Sequence, residues 1–483
     1  MAAADQTIIV SSYGRIGTDL EALDKTGWIA TSYFLTLASF QPLYGRLSDI
    51  FGRKAALLFA YAVFGLGSLW CGFATNINEL IVARALSGVG GGGMTTIVAI
   101  IWSDILPVRE RGLWQGFANL IYATGSSLGG PLGGLLVDTP GVGWRWPFII
   151  QAPLALLASI GVYLALTPNR NDFHGWTKQL QRIDILGAST LVLAVLSLMV
   201  GFDCGSNVSW FAPVTIGFLL LAVALFCVFG YIETFVASEP FTPSHILLNR
   251  TLFAHYATQF FSFTSHISSM FFVPLFFQAV HDLNSGQAAI RLIPVVLAGV
   301  SGGLTGGLMA KCSGDYARLT MVAATVLLLG SALSAACCAA DVRGLTGLII
   351  SVSINSFGNG IICTSTMVGI LANADEKDQS IATACSYLFR ALGSIIGITV
   401  VSATVQQSLR SRLIEELASR GNAEEIAKRI QMSLDAVKLL DPETRELVRT
   451  SYRMAVRDGM VVMTALAAMT VVAAIFGRGK RLV

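Results

Sequence analysis

Charged residues are scarce in this chain, and their scarcity excludes most classes of soluble protein. Asp, Glu, Lys and Arg together make up 13% of the 483 residues, whereas soluble domains carry roughly 25%. Hydrophobic residues reach 54%, and the mean hydropathy is +0.67. The composition therefore indicates a multi-pass protein embedded in the lipid bilayer. The net charge of +3 gives no reason to expect a nucleic-acid partner, because basic residues in such a chain set the membrane orientation.

The sequence also lacks the constellations that enzymes, metalloproteins and disulfide scaffolds require. No nucleophile–base pair stands out, and the cysteines do not have the spacing of metal ligands or of a disulfide framework. Six of the eight cysteines fall inside apolar segments, namely Cys71, Cys227, Cys337, Cys338, Cys363 and Cys385. We therefore expect no cofactor, no metal and no enzymatic activity.

Apolar segments long enough to cross a bilayer, for which about 20 residues are needed, recur along the whole chain. They cover residues 27–45, 55–74, 79–101, 113–137, 147–167, 183–201, 213–236, 251–280, 286–310, 319–340, 344–371, 381–407 and 459–477. With a shorter apolar piece at 2–17, the total is about fourteen spans. That first piece would span only about 25 Å as a helix, so we expect upstream residues of the first helix to be missing from this sequence.

Lys and Arg in the short loops predict the orientation, because cytosolic loops carry an excess of them. One side holds Lys54, Arg109, Arg111, Arg170, Lys178, Arg182, Arg250, Lys311, Arg318, Lys377, Arg478, Lys480 and Arg481. The opposite side keeps Lys25, Arg145 and Arg343 in its short loops. The first side is therefore predicted to be cytosolic, and the sequon at Asn207 becomes a glycosylation candidate on the other side.

Residues 408–458 differ from the other loops, because they are rich in charges of both signs. Asn422 with Glu425 has the spacing of a helix capping box, and Asp441–Pro442 is typical of a cap followed by proline at the first helical position. We expect short amphipathic helices that form a solvated cover on the non-cytosolic face.

The most informative stretch lies between the first two long segments and contains Gly45, Asp49, Gly52, Arg53 and Lys54. Its glycines allow two helix ends to approach closely. Its aspartate can accept hydrogen bonds from exposed N–H groups of a neighbouring helix, and its basic pair holds the loop in the cytosol. The spacing G-x-L-x-D-x-x-G-R-K resembles the signature loop between the second and third helices of the major facilitator superfamily.

Four further stretches resemble motifs of the fourteen-helix drug:proton antiporters in that superfamily, a group that includes the fungal vacuolar basic amino acid transporters. Asp5–Val10 resembles the Asp-x-Thr-x-Val motif of the first helix, and Arg84–Gly93 resembles the Arg-and-glycine motif of the fourth. Gly143–Pro153 is similar to the Trp-Arg-Trp…Pro motif at the start of the sixth helix. The antiporter motif of the fifth helix is matched by Gly125, Gly129, Gly130, Pro131, Gly133 and Gly134.

This resemblance implies an all-α membrane protein with the major facilitator fold. The implied domains are a six-helix bundle at 1–168, two linker transmembrane helices at 169–250 and a second six-helix bundle at 251–483, which includes the amphipathic segment 408–458. The protein is expected to act as a monomer.

Asp5, Arg84 and Arg390 place charges inside predicted spans. A charge in hydrocarbon costs at least a few kcal/mol, so each should be paired or face water. Asp5 and Arg84 are candidates for an ion pair that protonation opens, and the family associates such groups with proton coupling. The alternative for Arg84 is a structural bridge to backbone carbonyls. Arg390 would give the cavity an anion preference or act as a structural lock.

Polar stripes on two spans add candidates for a water-filled substrate cavity. His255, Gln259, Ser262 and His266 recur at i, i+4, i+7 and i+11, so they share one helix face. Asn355 and Asn359 align similarly on a later span. Interhelical hydrogen bonds are the alternative interpretation. Asn119 completes the candidates.

These features predict a proton-coupled antiporter that moves a small organic metabolite or drug out of the cytosol by rocking its two halves. The membrane would be the plasma membrane or, alternatively, the vacuolar membrane. Because the C-terminal cavity helices carry no carboxylate, a neutral, amphipathic or anionic solute is slightly favoured. Vacuolar import of basic amino acids is the main alternative, and a transporter-like nutrient sensor is a second.

Overall fold

A computed structural model gives the fold, and all regular structure among its described residues is helical. It describes residues 1–6, 8, 16, 19–20, 27–107, 110, 114–118, 120–122, 124–125, 129, 133, 136, 143–166, 184–207, 210–237, 244–247, 249–283, 285–339, 345–375, 378–416 and 441–477.

Fourteen helices have bounds within these described ranges. They are α1 (Gly27–Phe51), α2 (Arg53–Phe73), α3 (Ile77–Ile105), α4 (Trp146–Ala165), α5 (Ile185–Asn207), α6 (Pro213–Phe235), α7 (Ser244–Leu247), α8 (Arg250–His281), α9 (Ser285–Arg291), α10 (Ile293–Ser313), α11 (Tyr316–Ala339), α12 (Leu345–Asn373), α13 (Gln379–Glu416) and α14 (Pro442–Phe476).

Ten of these helices are long and apolar enough to cross a membrane, judged by length and composition. They are α2, α3, α4, α6, α8, α10, α11, α12, α13 and α14. The prediction of an all-α membrane protein is therefore confirmed. The predicted span 286–310 consists of two helices, because α9 ends at Arg291 and α10 begins at Ile293. The predicted spans at 2–17 and 113–137 lie partly outside the described residues.

Helical structure extends into the predicted loop 408–458 from both sides. Helix α13 continues to Glu416 and α14 begins at Pro442, and the predicted cap is confirmed because Asp441 accepts a hydrogen bond from Thr444 N at 3.2 Å. The extensions carry apolar side chains of the core, such as the fully buried Leu413 and Val448. These two parts therefore belong to long helices and do not form the short separate helices that we expected. The Asn422–Glu425 capping box lies outside the described residues.

The chain divides into two compact units. Unit 1 comprises Met1–Gly201, Phe211–Phe253 and Met367–Leu388, whereas unit 2 comprises Phe202–Trp210, Ala254–Thr366 and Phe389–Val483. The end of α12 and the beginning of α13 therefore belong to the same unit as α1–α4. The three domains expected from the sequence stay a prediction.

In unit 1, α3 packs against α1 and α2 through glycines. A methyl group on Gly92 would lie 2.8 Å from Leu37 O of α1, and one on Gly93 would lie 2.6 Å from Ala60 Cβ of α2. Side chains do not fit at such separations, so the helix backbones approach each other directly. The run of glycines after Arg84 is thus a packing surface for two neighbouring helices.

Unit 2 uses the same kind of packing. A methyl group on Gly358 of α12 would lie 2.7 Å from Leu327 N of α11, and one on Gly306 of α10 would lie 2.9 Å from Ile361 Cα of α12. Close backbone contact brings polar side chains on facing helices within hydrogen-bonding reach, which the polar clusters of this unit require.

The predicted orientation can be tested with the two sequons, because only Asn207 should meet the glycosylation machinery. The loop after α5 is short, so a Gly/Ser spacer inserted after Ser209 makes the sequon accessible. We expect this variant, expressed in a eukaryotic host, to show an endoglycosidase-sensitive band that Asn207→Gln removes. Asn249→Gln is the matched control and should leave the band unchanged. Sugar on Asn249 would contradict the orientation, as would an unmodified Asn207 in the lengthened loop.

Candidate functional site

Asp5 and Arg84 form a buried ion pair in unit 1. Arg84 Nη1 donates to Asp5 Oδ2 at 2.6 Å, and the two side chains are 1% (Arg84) and 0% (Asp5) exposed. Asp5 lies in the helical segment 2–6, and Arg84 lies in α3. The ion pair predicted from the sequence is therefore confirmed, while its part in proton coupling stays a prediction.

The guanidinium of Arg84 is also held by α1 and by aromatic rings. Its Nε donates to Ile29 O at 3.3 Å, and its Cζ lies 4.3 Å from the ring centroid of Tyr33 and 5.7 Å from that of Phe148. A cation over an aromatic face gains electrostatic stabilisation. The bridge to a backbone carbonyl, which was the alternative role for Arg84, therefore exists beside the ion pair.

The carboxylate of Asp5 has one oxygen that the pair does not use. Oδ1 is buried and has no hydrogen-bond partner among the described residues, whereas Oδ2 accepts from Arg84. A proton can be added at Oδ1 without displacing an existing hydrogen bond. Protonation there removes one of the two charges and so weakens the attraction that holds the pair together.

The signature stretch is helical except at one residue. Residues 45–51 form the last turns of α1, Arg53 begins α2, and Gly52 joins the two helices with φ of 84°. Glycine adopts this left-handed conformation without the strain that other residues suffer. The loop expected from the sequence thus consists of Gly52 alone, because the charged residues on both sides of it belong to the ends of α1 and α2.

Arg53 is the centre of the polar contacts at this position. It donates to Asp49, to Ser48 at 2.8 Å and to Asp104 of α3 at 2.8 Å. It also donates to Ser380 at the beginning of α13, at 2.7 Å. We expected Asp49 to bind N–H groups of a neighbouring helix, but Asp49 pairs with Arg53 instead, and Arg53 provides the contact with α13.

Two further residues of the signature stretch join helices in unit 1. A methyl group on Gly45 would lie 2.6 Å from Ala384 Cβ, so α1 and α13 meet without an intervening side chain. Lys54 Nζ donates to Tyr163 O at 2.7 Å and lies 4.3 Å from the centroid of that ring. The glycines and the basic pair thus serve helix packing in the described structure.

The antiporter motif is described in part. Gly125, Gly129 and Gly133 are helical, and a methyl group on Gly125 would lie 3.4 Å from Ala3 Cβ. Tyr122, one turn earlier, donates to Gln6 Oε1 at 2.6 Å. This part of the motif therefore lies against the segment that carries Asp5. Gly130, Pro131 and Gly134 lie outside the described residues.

In unit 2, Gln259 and Arg390 come together. Arg390 Nε donates to Gln259 Oε1 at 3.2 Å, and Arg390 Nη2 donates to Cys363 O at 3.3 Å. Gln259 Nε2 donates in turn to Thr366 Oγ1 at 2.8 Å. Helices α8, α12 and α13 thereby contribute to one buried polar cluster, which we call the Arg390 cluster (Gln259, Cys363, Thr366 and Arg390).

His266 and Asn355 form a separate cluster closer to the middle of α8. His266 Nδ1 lies 3.3 Å from Asn355 Oδ1, and Asn355 Nδ2 donates to Ser331 Oγ at 2.7 Å. Ser265 Oγ lies 3.1 Å from Ser331 Oγ. Because these groups satisfy one another across α8, α11 and α12, the interhelical alternative describes Asn355 well.

The remaining candidates are dispersed. His255 lies apart, with its ring centroid 5.8 Å from that of Tyr316 and both ring nitrogens lacking hydrogen bonds among the described residues. Asn359 is buried, and its Oδ1 has no partner within the described part of the chain. Asn119 and the side chain of Asn207 lie outside the described residues. The polar stripe of α8 therefore divides among three environments.

Several residues of these clusters were not singled out in the sequence. Ser380 and Asp104, which bind Arg53, lie 327 and 51 residues away from it along the chain, and nothing in their spacing indicates the contact. Tyr33 under Arg84 is one of many aromatic residues in apolar spans. Of these residues, Asp104 could most readily have been found from the sequence, because it is an acidic residue at the predicted cytosolic end of a span.

Packed apolar helices with charges and polar clusters buried between them define a multi-pass integral membrane protein of the transporter class. Residues 1–398 match the model of the Major Facilitator Superfamily. The chain belongs to this family and is a transporter, as the resemblance predicted.

Relatives and a solved structure agree with this assignment. The chain is 36% identical over 454 residues to the multidrug resistance protein fnx1 of Schizosaccharomyces pombe, with 94% of this chain and 85% of fnx1 covered. It is 34% identical over 460 residues to the vacuolar membrane amino acid uptake transporter fnx2 of the same yeast, with coverages of 93% and 77%. The human organic anion transporter MFSD10 shares the fold, with a TM-score of 0.57 at 12% identity over 94% of this chain and 88% of MFSD10.

The close contact between Gly45 and Ala384 gives a test of the packing in unit 1. Gly45→Ala adds a methyl group where the gap is 2.6 Å, and overpacking of this kind costs about 1–3 kcal/mol. We expect a lower unfolding temperature for this variant in detergent. Ala384→Gly in the same protein should recover at least half of the loss, because it removes the colliding atom.

Ala384→Gly alone is the matched control, and it should change the unfolding temperature less than Gly45→Ala does. A loss in the double variant that equals the sum of the two single losses would contradict the contact, because the two substitutions would then act independently.

Proposed function

We propose that this transporter is a proton-coupled antiporter that carries a small organic solute out of the cytosol by alternating access. The observation that carries the proposal is the fully buried ion pair of Asp5 and Arg84 in unit 1. A titratable group at such depth is expensive to keep, and intramembrane ionisable residues commonly belong to proton relays.

The pair supports coupling because its two protonation states favour different arrangements. With Asp5 ionised, the pair holds the first helical segment against α3, and α1 is joined through Ile29 O. With Asp5 protonated, the attraction weakens and these elements separate at lower cost. A proton that binds one arrangement better than the other shifts the equilibrium between them. Proton binding from the acidic side would thus drive the return step of the transport cycle.

Transport out of the cytosol is the direction we propose for either of the two candidate membranes. Both the exterior of a fungal-type cell and the vacuole lumen are acceptor compartments for an antiporter driven by an inward proton gradient into the cytosol. The similarity to fnx1, a multidrug resistance protein, favours removal of a drug or metabolite. The plasma membrane remains our first assignment for this activity.

Vacuolar uptake of amino acids is the second candidate, and the similarity to fnx2 favours it. The chain covers 77% of that vacuolar membrane amino acid uptake transporter at 34% identity. The two candidates share the same direction relative to the cytosol and the same coupling, so they differ in compartment and solute. A tagged full-length chain located at the plasma membrane or at the vacuole distinguishes them.

Asp5→Asn tests the coupling, because asparagine keeps the shape of aspartate and cannot titrate. In proteoliposomes with an acidic lumen, we expect the wild type to accumulate radiolabelled L-lysine or rhodamine 6G above equilibrium. Accumulation by the variant should be at least about tenfold lower than by the wild type. The variant should still exchange internal for external probe when the pH is equal on both sides. Wild-type accumulation by Asp5→Asn would contradict the role of Asp5, and a wild type without gradient-driven flux of any probe would contradict the antiporter.

A second variant separates coupling from folding. Asp5→Asn leaves the Arg84 charge without its anion, and removing one partner of a buried pair costs roughly 3–5 kcal/mol. Asp5→Asn with Arg84→Gln replaces the pair by two neutral amides that can hydrogen-bond each other. We expect this double variant to unfold at a higher temperature than Asp5→Asn alone, and still to lack gradient-driven accumulation.

A further inference from the structure

Basic side chains from three helices gather at the end of unit 2 that is predicted to be non-cytosolic. Helix α14 carries Arg445, Arg449 and Arg453 at intervals of four residues, so they lie on one face of that helix. Arg291 is the last residue of the short helix α9. The positive charges of Arg453, Arg291 and Arg449 all act on the imidazole of His281, which ends α8. The ends of α8 and α9 therefore lie beside the first turns of α14.

Asp282 is the acidic residue that holds two of these arginines. It follows α8 with φ of 52°, a left-handed conformation that aspartate tolerates better than most residues. Its Oδ2 accepts hydrogen bonds from Arg445 Nη2 at 2.7 Å and from Arg449 Nη2. Arg449 also lies 3.5 Å from Glu446, whose side chain is 67% exposed, so solvent weakens that pair. We call Asp282, Arg291, Arg445 and Arg449 the outer basic cluster.

Arg291 adds a positive charge to this cluster without an anion from the described part of the chain. It makes no ion pair and no hydrogen bond to a described residue, and its Nη1 is buried. The Nε atoms of Arg445 and Arg449 are likewise buried without a hydrogen-bond partner among the described residues. Nε and Nη2 of Arg291 are not buried, so they are open to a ligand. With three guanidinium groups and one carboxylate, the cluster is positively charged.

An apolar outer surface begins directly beside Arg291. Ile290, Ile293 and Leu297 are 66%, 49% and 60% exposed. Ile293 and Leu297 are one turn apart, so they follow one line on the outside of α10, which is long and apolar enough to cross the membrane. In a bilayer such a surface contacts acyl chains. Arg291 lies two residues before α10 begins, which is the level at which lipid headgroups lie.

We propose that the outer basic cluster binds the phosphate group of an anionic phospholipid, whose acyl chains lie along Ile293 and Leu297 of α10. Arg291 and Arg445 donate to the phosphate oxygens, since the planar guanidinium group matches phosphate geometry. A net negative headgroup offsets the charge of the cluster, whereas a zwitterionic headgroup also brings a cation that the arginines repel.

The apolar surface is the reason to expect a lipid rather than a free anion. Inorganic phosphate offers the same oxygens to the arginines but gains nothing from Ile293 and Leu297. Each buried methylene of an acyl chain adds to the binding free energy, so a lipid is held by both of its ends. The site is distinct from the buried pair of Asp5 and Arg84, and the inference depends on neither proton coupling nor the solute.

Four probes separate headgroup charge, phosphate and acyl chains. Dioleoyl phosphatidylglycerol has a net negative charge, dioleoyl phosphatidylcholine has the same chains and phosphate without it, and glycerol 3-phosphate and inorganic phosphate lack chains. Binding to the full-length protein in detergent is measured by native mass spectrometry and by the shift of the unfolding temperature. We expect phosphatidylglycerol to bind at least about tenfold more tightly than phosphatidylcholine, because each arginine near a headgroup contributes roughly fivefold. Millimolar concentrations of the two chainless probes should not displace it.

Three substitutions assign this preference to residues. Arg291→Gln should lower the affinity for phosphatidylglycerol about fivefold and leave that for phosphatidylcholine unchanged. Leu297→Asn should weaken both lipids equally, because it changes only the contact with the chains. Arg318→Gln is the matched control, since Arg318 is in the same unit, its side chain is 78% exposed, and its loop is predicted to be cytosolic. This control should keep the wild-type affinities.

Asp282→Asn gives an effect of the opposite sign. Asparagine tolerates the same left-handed φ, and the substitution removes the anion that Arg445 and Arg449 share. We expect the affinity for phosphatidylglycerol to rise about fivefold, because the cluster loses its internal negative charge. The variant should unfold earlier than the wild type without lipid and recover when phosphatidylglycerol is added. A cluster that only holds the helices together would show the loss of stability without the gain in affinity.

The proposal is overturned if the wild type binds the two phospholipids equally, or if Arg291→Gln keeps the wild-type preference. An Asp282→Asn protein that binds phosphatidylglycerol no more tightly than the wild type contradicts it as well. Equal loss in Arg318→Gln would show that basic residues in general attract the lipid. Displacement by millimolar inorganic phosphate would assign the cluster to a free anion, and unchanged affinities in Leu297→Asn would contradict the position of the acyl chains.

Discussion

A charge inside a membrane protein has no bulk water to compensate it, and this constraint governs the polar architecture of the chain. On insertion scales an ionised side chain at the bilayer centre costs about 3 kcal/mol. In unit 1 the cost of Arg84 is offset by Asp5, at 2.6 Å, and by an aromatic ring. In unit 2 two hydrogen bonds of Arg390 lead to neutral oxygens, namely Gln259 Oε1 and Cys363 O. The proposed proton coupling is based on the arrangement in unit 1, because a proton that binds Asp5 removes one of the two charges of the pair.

Close helix packing is what allows these polar groups to meet. Amide and carboxylate side chains are short, so they can contact each other across a helix interface only where the backbones approach closely. Glycines at Gly92 and Gly93 in α3, and at Gly358 in α12, permit that approach because their positions leave no room for a Cβ atom. The glycine content of the chain therefore supports both the packing and the polar chemistry, and the two cannot be altered independently.

Much of the fold was predictable because bilayer thickness sets the length of an apolar span. The Asp5–Arg84 pair was also predictable, since two opposite charges in neighbouring spans of one bundle have few other partners. The single-residue connection at Gly52 was missed because helix ends tolerate the same charged residues as loops. Spacing placed His255, Gln259 and His266 on one face of α8. It could not show that each of them has a different neighbour, because the helices that pack against this face change along its length. Contacts such as Arg53 with Ser380 join positions 327 residues apart, and no local pattern records them.

The charge of a cavity constrains the end of the solute that a unit holds rather than the charge of the whole solute. The lack of carboxylates in the predicted C-terminal spans disfavours a site that pairs with the cationic side chain of a basic amino acid. Every amino acid nevertheless carries an α-carboxylate, so the same lack of carboxylates does not argue against a basic amino acid that is held by its carboxylate end.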